Sequence, residues 1–223
     1  RLQWWRDLLQ GENRGDVRAN PFAAALDDAI VRNRLPREAL VSLIDARVFD
    51  LYDDPMPSLS DLEGYCGETS SALVRLACLV LARGEDPGSA EAAGHAGVAY
   101  ALVGLLRAFP WHARRGQIYL PASLLDEHGV TRDDIVQGRG GPGLDAVLSR
   151  LRALARERLA RVAELSGGID PAILPAFLPL ALAPAYLDRM ERWDYDPFSA
   201  VIDLPQWRKQ WILWRRARQG RAV

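Results

Sequence analysis

One long amphipathic segment limits the folds open to this chain. Between residues 141 and 167 apolar side chains recur at three- and four-residue steps, and arginines occupy the opposite face. Runs that alternate with period two are missing, as are the Asn-Gly and Asp-Gly pairs typical of hairpins. We therefore expect helices rather than a sheet on the apolar side of this segment.

Start signals for further helices recur along the chain. Three consist of an asparagine or aspartate before a proline, the residue types favoured at the N-cap and the first helical position: Asn20–Pro21, Asp86–Pro87 and Asp170–Pro171. Ser60 and Glu63 form a capping-box pattern ahead of a segment that reaches Ala82. The helix after Asp170 is apolar and interrupted by prolines, and a last helix begins near Pro205.

These signals predict an all-α fold, a single compact helical bundle formed by residues 1–223. No fixed-period repeat is visible, which disfavours a helical solenoid. The first segment reads as helical from Arg1 with no cap ahead of it, so we expect the natural protein to extend upstream and to begin with further helices. Loops are expected near residues 10–20, 52–58, 83–88, 110–119, 136–143 and 192–204.

The composition limits the kinds of partner that the protein can bind and the cell compartment in which we expect it. The net charge of -1 disfavours nucleic acid, because phosphate binding calls for a basic excess. Cys66 and Cys78 lie in apolar surroundings and are expected to be reduced core thiols of a cytosolic protein. The longest apolar run, His95 to Phe109, is shorter than the ~20 residues that span a bilayer. No signal peptide opens the sequence, and we expect a cytoplasmic protein, with a peripheral position on the inner membrane as an alternative.

The strongest acidic cluster is Asp50, Asp53 and Asp54. Their i, i+3 and i+4 spacing would place three carboxylates on one helix face, and carboxylate oxygens are the ligands that Mg²⁺ prefers. Pro55 and Pro57 follow immediately and are expected to end the helix there. Capping and solvation of a helix end is therefore the favoured interpretation.

Other candidate motifs are weak. The histidines His95, His112 and His128 have no zinc-ligand spacing. Serine-nucleophile and P-loop motifs are absent from the sequence. The glycine-rich run from Gly138 to Gly143 follows no strand and is expected to be a linker before a helix.

The last helix places Trp207, Trp211 and Trp214 at i, i+4 and i+7. Basic residues are interleaved with them: Arg208, Lys209, Arg215, Arg216 and Arg218. One interpretation is a surface for an anionic membrane or a partner, with Arg215 and Arg216 beside the tryptophans. The other, which the sequence slightly favours, packs the tryptophans on the bundle and leaves the basic residues in water.

Five segments taken in order resemble the squalene/phytoene synthase family, and the resemblance covers nearly the whole chain. They read RLQWWRDLL, LPREALVSLIDARVFDLY, SLSDLEGYCGETSSALVRL, RRGQIYLPASLLDEHGV and LPQWRKQWILWRRA. Each is weakly specific alone, and the ordered set is much more so. The resemblance implies the all-α isoprenoid synthase fold.

The same resemblance implies how catalytic members work. They join two prenyl diphosphates head to head, with magnesium held by aspartates from two motifs on facing helices. The first motif would lie upstream of Arg1. The second falls on Gly104, Arg107, Ala108, Trp111 and His112, where the arginine is kept but the amide and carboxylates are not.

These substitutions predict a protein without the metal-dependent reaction. Alanine offers no ligand, histidine suits a hard cation poorly, and Trp111 is bulky at a metal position. Pro110 is expected to end the helix near Phe109, about one turn early. No cofactor is expected, and Mg²⁺ only if a transferase has relocated its ligands to Asp50 and its neighbours or to acids upstream.

Within the family, residues 105–121 resemble most the branch that contains a mitochondrial assembly factor of respiratory complex I. The resemblance implies a bacterial protein that acts by binding a protein partner in respiratory complex assembly. A bound lipid or isoprenoid is a further possibility, in an apolar cavity lined from residues 96–106 and 172–186. Arg107, Arg114 and Arg115 would then hold an anionic head group, although Arg114 and Arg115 could equally cap the turn and pair with surface acids.

Overall fold

The structure, a computed structural model, describes residues 2–11, 20–199 and 201–220. The described residues form helices and no strand, which confirms the all-α prediction. The α-helices are α1 Leu2–Leu9, α2 Pro21–Arg32, α3 Arg37–Ala46, α4 Leu59–Cys66, α5 Ala72–Leu81, α6 Ala90–Arg114, α7 Ala122–Glu127, α8 Arg132–Val136, α9 Pro142–Leu165, α10 Ala183–Met190 and α11 Gln206–Gln219. Short 3₁₀ segments lie at Arg47–Leu51, Ser166–Gly168 and Pro171–Leu182.

Helices α4 and α5 are one continuous helix with a π-helical turn, Gly67–Ser71, between them. Its N-cap is Ser58, whose hydroxyl accepts a hydrogen bond from the Asp61 amide at 3.2 Å. The predicted capping box at Ser60 and Glu63 was therefore wrong by two residues. Ser58 has the extended backbone that an N-cap needs, whereas Ser60 already lies in the first helical turn.

Helix α6 differs from prediction at both ends. Asp86 accepts a hydrogen bond from the Gly88 amide and forms a turn, so the helix begins at Ala90 instead of beside Pro87. At the other end it runs through Pro110 to Arg114, and the predicted early end was wrong. Phe109 and Pro110 are both buried, so core packing offsets the cost of a helix-interior proline.

The core centres on α6 and α9. Apolar residues from both helices join one large buried cluster, and a smaller cluster gathers Leu8, Leu9, Ala23, Ile30, Leu35 and Leu76 from α1, α2, the loop after it and α5. Cys66 and Cys78 are buried free thiols, as predicted. Burial raises the pKa of Cys66 to about 12 and raises that of Cys78 as well.

The π-helical turn lies directly on α6. A Cβ atom at Gly97 would stand 2.2 Å from both the Cα and the amide nitrogen of Ser71, so only glycine allows this approach. The Ser71 hydroxyl donates a hydrogen bond of 2.7 Å to the Gly94 carbonyl across the same contact. The crossing therefore fixes the position of α6 relative to the α4–α5 helix.

The apolar segment Pro171–Leu182 is 3₁₀-helical, because Pro175 and Pro179 remove backbone donors that an α-helix would use. By length and composition alone, Ala90–Arg114 and Pro171–Met190 could each span a membrane. The sequence had suggested no such segment. Both contribute side chains to the buried cluster, and core helices of soluble proteins commonly pass the same test.

Candidate functional site

The predicted motif positions lie on the C-terminal half of α6. Apart from the adjoining residues and backbone of α6, no atom lies within 4 Å of a Cβ built at Gly104, and the Trp111 side chain is 48% exposed. The Arg115 guanidinium lies 4.6 Å from the centre of the Trp111 ring. After Glu91 in its first turn, α6 contains no acidic residue, so this open face presents no carboxylate of its own.

His112 lies at the edge of the same face and is partly buried. Its ring meets the Tyr119 ring edge-on, with centroids 4.7 Å apart. Within the described part of the chain, its buried Nδ1 has no hydrogen-bond partner. Burial lowers the pKa of His112, with the Arg115 charge as a smaller cause in the same direction and Gln117 and Asp50 opposing it. The imidazole is therefore neutral near pH 7.

Asp50 forms the centre of a polar cluster next to His112. Its Oδ1 accepts hydrogen bonds from the Tyr65 hydroxyl at 2.7 Å and the Tyr119 hydroxyl at 2.9 Å. Arg47 Nη1 donates to Asp50 Oδ2 at 3.0 Å and to the Tyr65 hydroxyl at 2.9 Å. Three donors thus surround one carboxylate, which we call the Asp50 cluster.

Burial and the bonds to Asp50 keep both tyrosines protonated. Burial, the larger cause, and the hydrogen bond to Asp50 together raise the pKa of Tyr119 to about 12. The same two causes, burial first, raise the pKa of Tyr65. Sequence reasoning missed both tyrosines and Arg47, although Tyr65 and Tyr119 stand inside the segments that carry the family resemblance.

The face of three aspartates, the less favoured alternative for Asp50, Asp53 and Asp54, does not form. Arg47–Leu51 is a 3₁₀ turn that ends before Asp53, and Tyr52 is extended. Asp53 and Asp54 lie exposed in the following loop, while Asp50 turns inward. The prolines after Asp54 thus have the expected effect, but the helix ends earlier than predicted.

The described residues do not fit the magnesium site that the fold family implies. Among them no group of three or more histidine, cysteine or acidic side chains could hold a metal ion. Asp50 is the carboxylate beside His112, and its oxygens are already engaged by two hydroxyls and a guanidinium. A hard cation there would have to displace these donors.

Arg107 binds the segment that leads into α11. Its Nε donates to the Ile202 carbonyl at 3.0 Å, and its guanidinium lies 3.4 Å from Asp203 Oδ1. The same guanidinium lies 3.7 Å from the centre of the Tyr186 ring, a cation–π contact. Part of the hydrogen-bonding capacity of the Arg107 guanidinium is therefore already used by protein groups.

The other two arginines differ from each other. Arg114 donates to the carbonyl oxygens of Phe198 and Ser199 at 3.2 and 3.1 Å, rather than to a surface acid as one alternative supposed. Arg115 is exposed and stacks on Trp111. The binding of an anionic head group by Arg107, Arg114 and Arg115 stays a prediction.

Helix α11 leaves its tryptophans in solvent. Trp207, Trp211 and Trp214 are 69%, 55% and 50% exposed, so the prediction that they pack on the bundle was wrong. The partly buried side of the helix is formed by Lys209, Ile212, Leu213 and Arg216. Trp211 and Trp214 stack with ring centroids 5.1 Å apart, and Arg215 is exposed beside them.

An apolar cavity of about 210 Å³ lies between α5, α6 and the 3₁₀ segment Pro171–Leu182. Ala96 and Tyr100 line it from one predicted stretch, and Phe177, Pro179 and Leu180 from the other. The structure thus brings both predicted stretches to one cavity, through the first half of residues 96–106 and the middle of residues 172–186.

A larger depression of about 800 Å³ lies elsewhere, between α3, the α4–α5 helix, α6 and α9. Arg158 crosses it with its Nε 3.0 Å from Glu63 Oε1, and its Nη1 lies 3.4 Å from His95 Nδ1. His95 is therefore part of an ion-pair network. The third histidine, His128, is exposed.

Solved structures show which fold this arrangement belongs to. A squalene synthase, HpnC, from Alicyclobacillus acidocaldarius superposes with a TM-score of 0.74 at 23% identity, over 88% of this chain and 73% of that one. A dehydrosqualene synthase also gives 0.74, at 19% identity, over 96% of this chain and 76% of that one. At these identities the likeness establishes the all-α isoprenoid synthase fold.

The chain belongs to the squalene/phytoene synthase family, whose model matches residues 1–215. "NADH dehydrogenase (ubiquinone) complex I, assembly factor 6" of Rattus norvegicus is 29% identical over 202 residues, which cover 91% of this chain and 60% of that protein. The human protein of the same name is 27% identical over the same coverage. A phytoene synthase of Thermus thermophilus is 29% identical over 218 residues, 94% of this chain and 71% of that enzyme.

These relatives confirm the predicted family and its assembly-factor branch. The chain spans about 60% of the length of the assembly factors that it matches.

Proposed function

We propose that this chain is a non-catalytic member of its family that acts by binding a protein partner during assembly of respiratory complex I. Its similarity to proteins named as complex I assembly factor 6 supports this role. The single observation that carries the non-catalytic part is the open face of α6, where Gly104, Ala108 and Trp111 present no metal ligand.

The physical reason lies in the leaving group. Ionisation of a prenyl diphosphate releases a highly charged diphosphate, and divalent metal held by carboxylates neutralises it. On α6 the sole polar replacement at these positions is His112, whose neutral imidazole is a poor ligand for a hard cation. The remaining carboxylate nearby, Asp50, is engaged by three protein donors.

Incubation with farnesyl or geranylgeranyl diphosphate and Mg²⁺ tests this directly. We expect diphosphate release no faster than in buffer, while a phytoene synthase assayed in parallel releases it. Release by the chain at a rate comparable with that enzyme would refute the non-catalytic proposal.

The assembly role is tested separately in the native host. Deletion of the gene should lower the amount of assembled complex I on native gels, and re-expression of the wild-type chain should restore it. An unchanged amount of complex I after deletion would count against the assembly role while leaving the missing catalysis unaffected.

A transferase with relocated ligands is the second candidate, and the similarity to phytoene synthase favours it. Asp53 and Asp54 are exposed and unpaired in the described structure, and they lie in the loop that follows the 3₁₀ turn containing Asp50. If they carried metal, Asp53→Ala with Asp54→Ala would abolish turnover. Activity that survives this double substitution would remove the candidate.

A bound lipid or isoprenoid is compatible with the non-catalytic role. The cavity between α5, α6 and Pro171–Leu182 is apolar, and Tyr100 and Leu73 stand half exposed at its lining. Native mass spectrometry of the purified protein should show retained lipid if the cavity is used in this way. Spectra of the bare chain alone, after mild extraction, would argue against it.

A further inference from the structure

We infer that the outward side of α11 docks on an anionic lipid surface. We call this side the tryptophan face and define it by Trp207, Trp211 and Trp214 with Arg208 and Arg215 along one flank. The inference goes beyond the proposed function and does not depend on it, because it concerns a helix that takes no part in the α6 site.

The tryptophan face points away from the bundle. Residues at i, i+4 and i+7 share one side of a helix, and here they are the three tryptophans. Lys209, Ile212 and Arg216 repeat at three- and four-residue steps on the opposite side, which is the partly buried one. That side lies on the 3₁₀ segment Pro171–Leu182. No residue of α11 is fully buried, so the helix rests on the bundle along one side only.

The charge of α11 has a single sign. It contains five basic residues and no acidic one, in a chain whose net charge is -1. Lys209 is paired with Asp203 at 2.8 Å and is therefore not available to a ligand. Arg208 and Arg215 are exposed, and the Arg218 guanidinium lies 5.1 Å from the centre of the Trp214 ring. A partner of this face must carry negative charge.

A lipid surface fits this combination better than a second copy of the chain. Tryptophan rings favour the head-group level of a bilayer, where one part of the ring is apolar and another can hydrogen-bond. Arginine side chains beside them reach phosphate groups while their stems stay on apolar surface. A symmetric dimer through this face would place two sets of arginines against each other. Helices that lie in the membrane interface typically carry many basic residues, have a low mean hydropathy and contain tryptophan.

Vesicle flotation with the purified protein tests the inference. We expect binding to phosphatidylcholine vesicles that contain about one-third phosphatidylglycerol, and little binding to phosphatidylcholine alone. About 1 M NaCl should release the protein, because the Debye length falls to about 3 Å. The measurement at high salt uses the wild-type protein, so its result does not depend on whether a variant folds.

Two variants and two matched controls locate the surface. Arg208→Gln with Arg215→Gln should weaken binding to anionic vesicles roughly 30-fold, at about fivefold per basic residue. Arg32→Gln with Arg150→Gln makes the same change of charge on exposed residues of α2 and α9 and should leave binding unchanged. Trp211→Ser with Trp214→Ser should also weaken binding, and a circular dichroism spectrum like that of the wild type excludes unfolding.

Trp193→Ser is the control for tryptophan loss, since that side chain is 94% exposed and lies outside α11. The inference is overturned if anionic vesicles are not bound, if neutral vesicles are bound equally well, or if the α11 variants bind like their controls. A dimer in sedimentation velocity that the Trp211→Ser, Trp214→Ser variant abolishes, with no vesicle binding, would assign the face to a second copy instead.

Discussion

Replacing Gly97 and Gly104 by alanine should have opposite effects on stability, although both lie inside α6. At Gly97 the new Cβ would stand 2.2 Å from Ser71 Cα and 2.5 Å from Ser71 Oγ. Contacts between carbon atoms are favourable near 3.5–4 Å, so the two helices must separate by more than about 1 Å. The obstructing atoms belong mainly to the backbone and cannot rotate away.

The 2.2 Å approach to backbone atoms places the cost at the upper end of the usual range for overpacking, about 3 kcal/mol. The better helix propensity of alanine offsets about 1 kcal/mol of this cost. Gly97→Ala should therefore destabilise the fold by about 2 kcal/mol. At Gly104 no atom beyond the adjoining residues and backbone of α6 lies within 4 Å of the new Cβ, so only the propensity gain applies. Gly104→Ala should stabilise by about 1 kcal/mol.

Urea unfolding followed by circular dichroism measures both changes. In thermal unfolding the Gly97 variant should melt roughly 4–8 °C lower and the Gly104 variant roughly 2–4 °C higher than the wild type. A Gly97→Ala protein as stable as the wild type would refute the close approach of α6 to the π-helical turn. Equal destabilisation by both substitutions would refute the open face at Gly104.

Three further predictions concern buried polar groups. Burial lowers the pKa of His112 below its usual 6.5, so the unfolded chain takes up the proton first as the pH falls. The free energy of unfolding should therefore decrease as the pH is lowered below about 6.5, and it should decrease less steeply in His112→Asn. Cys66 and Cys78 should not react with Ellman's reagent at pH 8 until denaturant is added, because burial raises the pKa of both thiols. Reaction of the native protein would contradict their burial. Tyr119→Phe should cost about 1–2 kcal/mol in urea unfolding by removing a hydrogen bond to a carboxylate, whereas Tyr52→Phe, at an exposed side chain, should cost nothing measurable.

The helical architecture was accessible from the sequence because its signals are local. Asn20 caps α2 through hydrogen bonds to the amides of Phe22 and Ala23, as its position before Pro21 predicts. Asp170 likewise accepts from the Ala172 amide. Periodicity and capping act within a few residues, so a linear reading recovers them.

The end of α6 was not accessible in this way. Pro110 predicts a break when only neighbouring residues are considered. Whether the helix continues depends on the burial of Phe109 and Ala113 against distant segments, which no local pattern reports.

The Asp50 cluster was inaccessible for a related reason. Its tyrosine donors lie 15 and 69 residues away from Asp50 in the chain. Spacing arguments grouped Asp50 with Asp53 and Asp54 because they are near in sequence. The fold instead separates them and pairs Asp50 with Tyr65 and Tyr119 from other elements.

The contacts of Arg107 couple two parts of the molecule thermodynamically. Arg107 bonds to the Ile202 carbonyl and to Asp203, and Asp203 in turn bonds to Lys209 in the first turns of α11. An anion that takes the Arg107 guanidinium must compete with Asp203 and so loosen the anchor of α11. By reciprocity, whatever repositions α11 changes the affinity of Arg107 for that anion by the same factor. Arg107 thereby links anion binding at the open face of α6 to the position of α11.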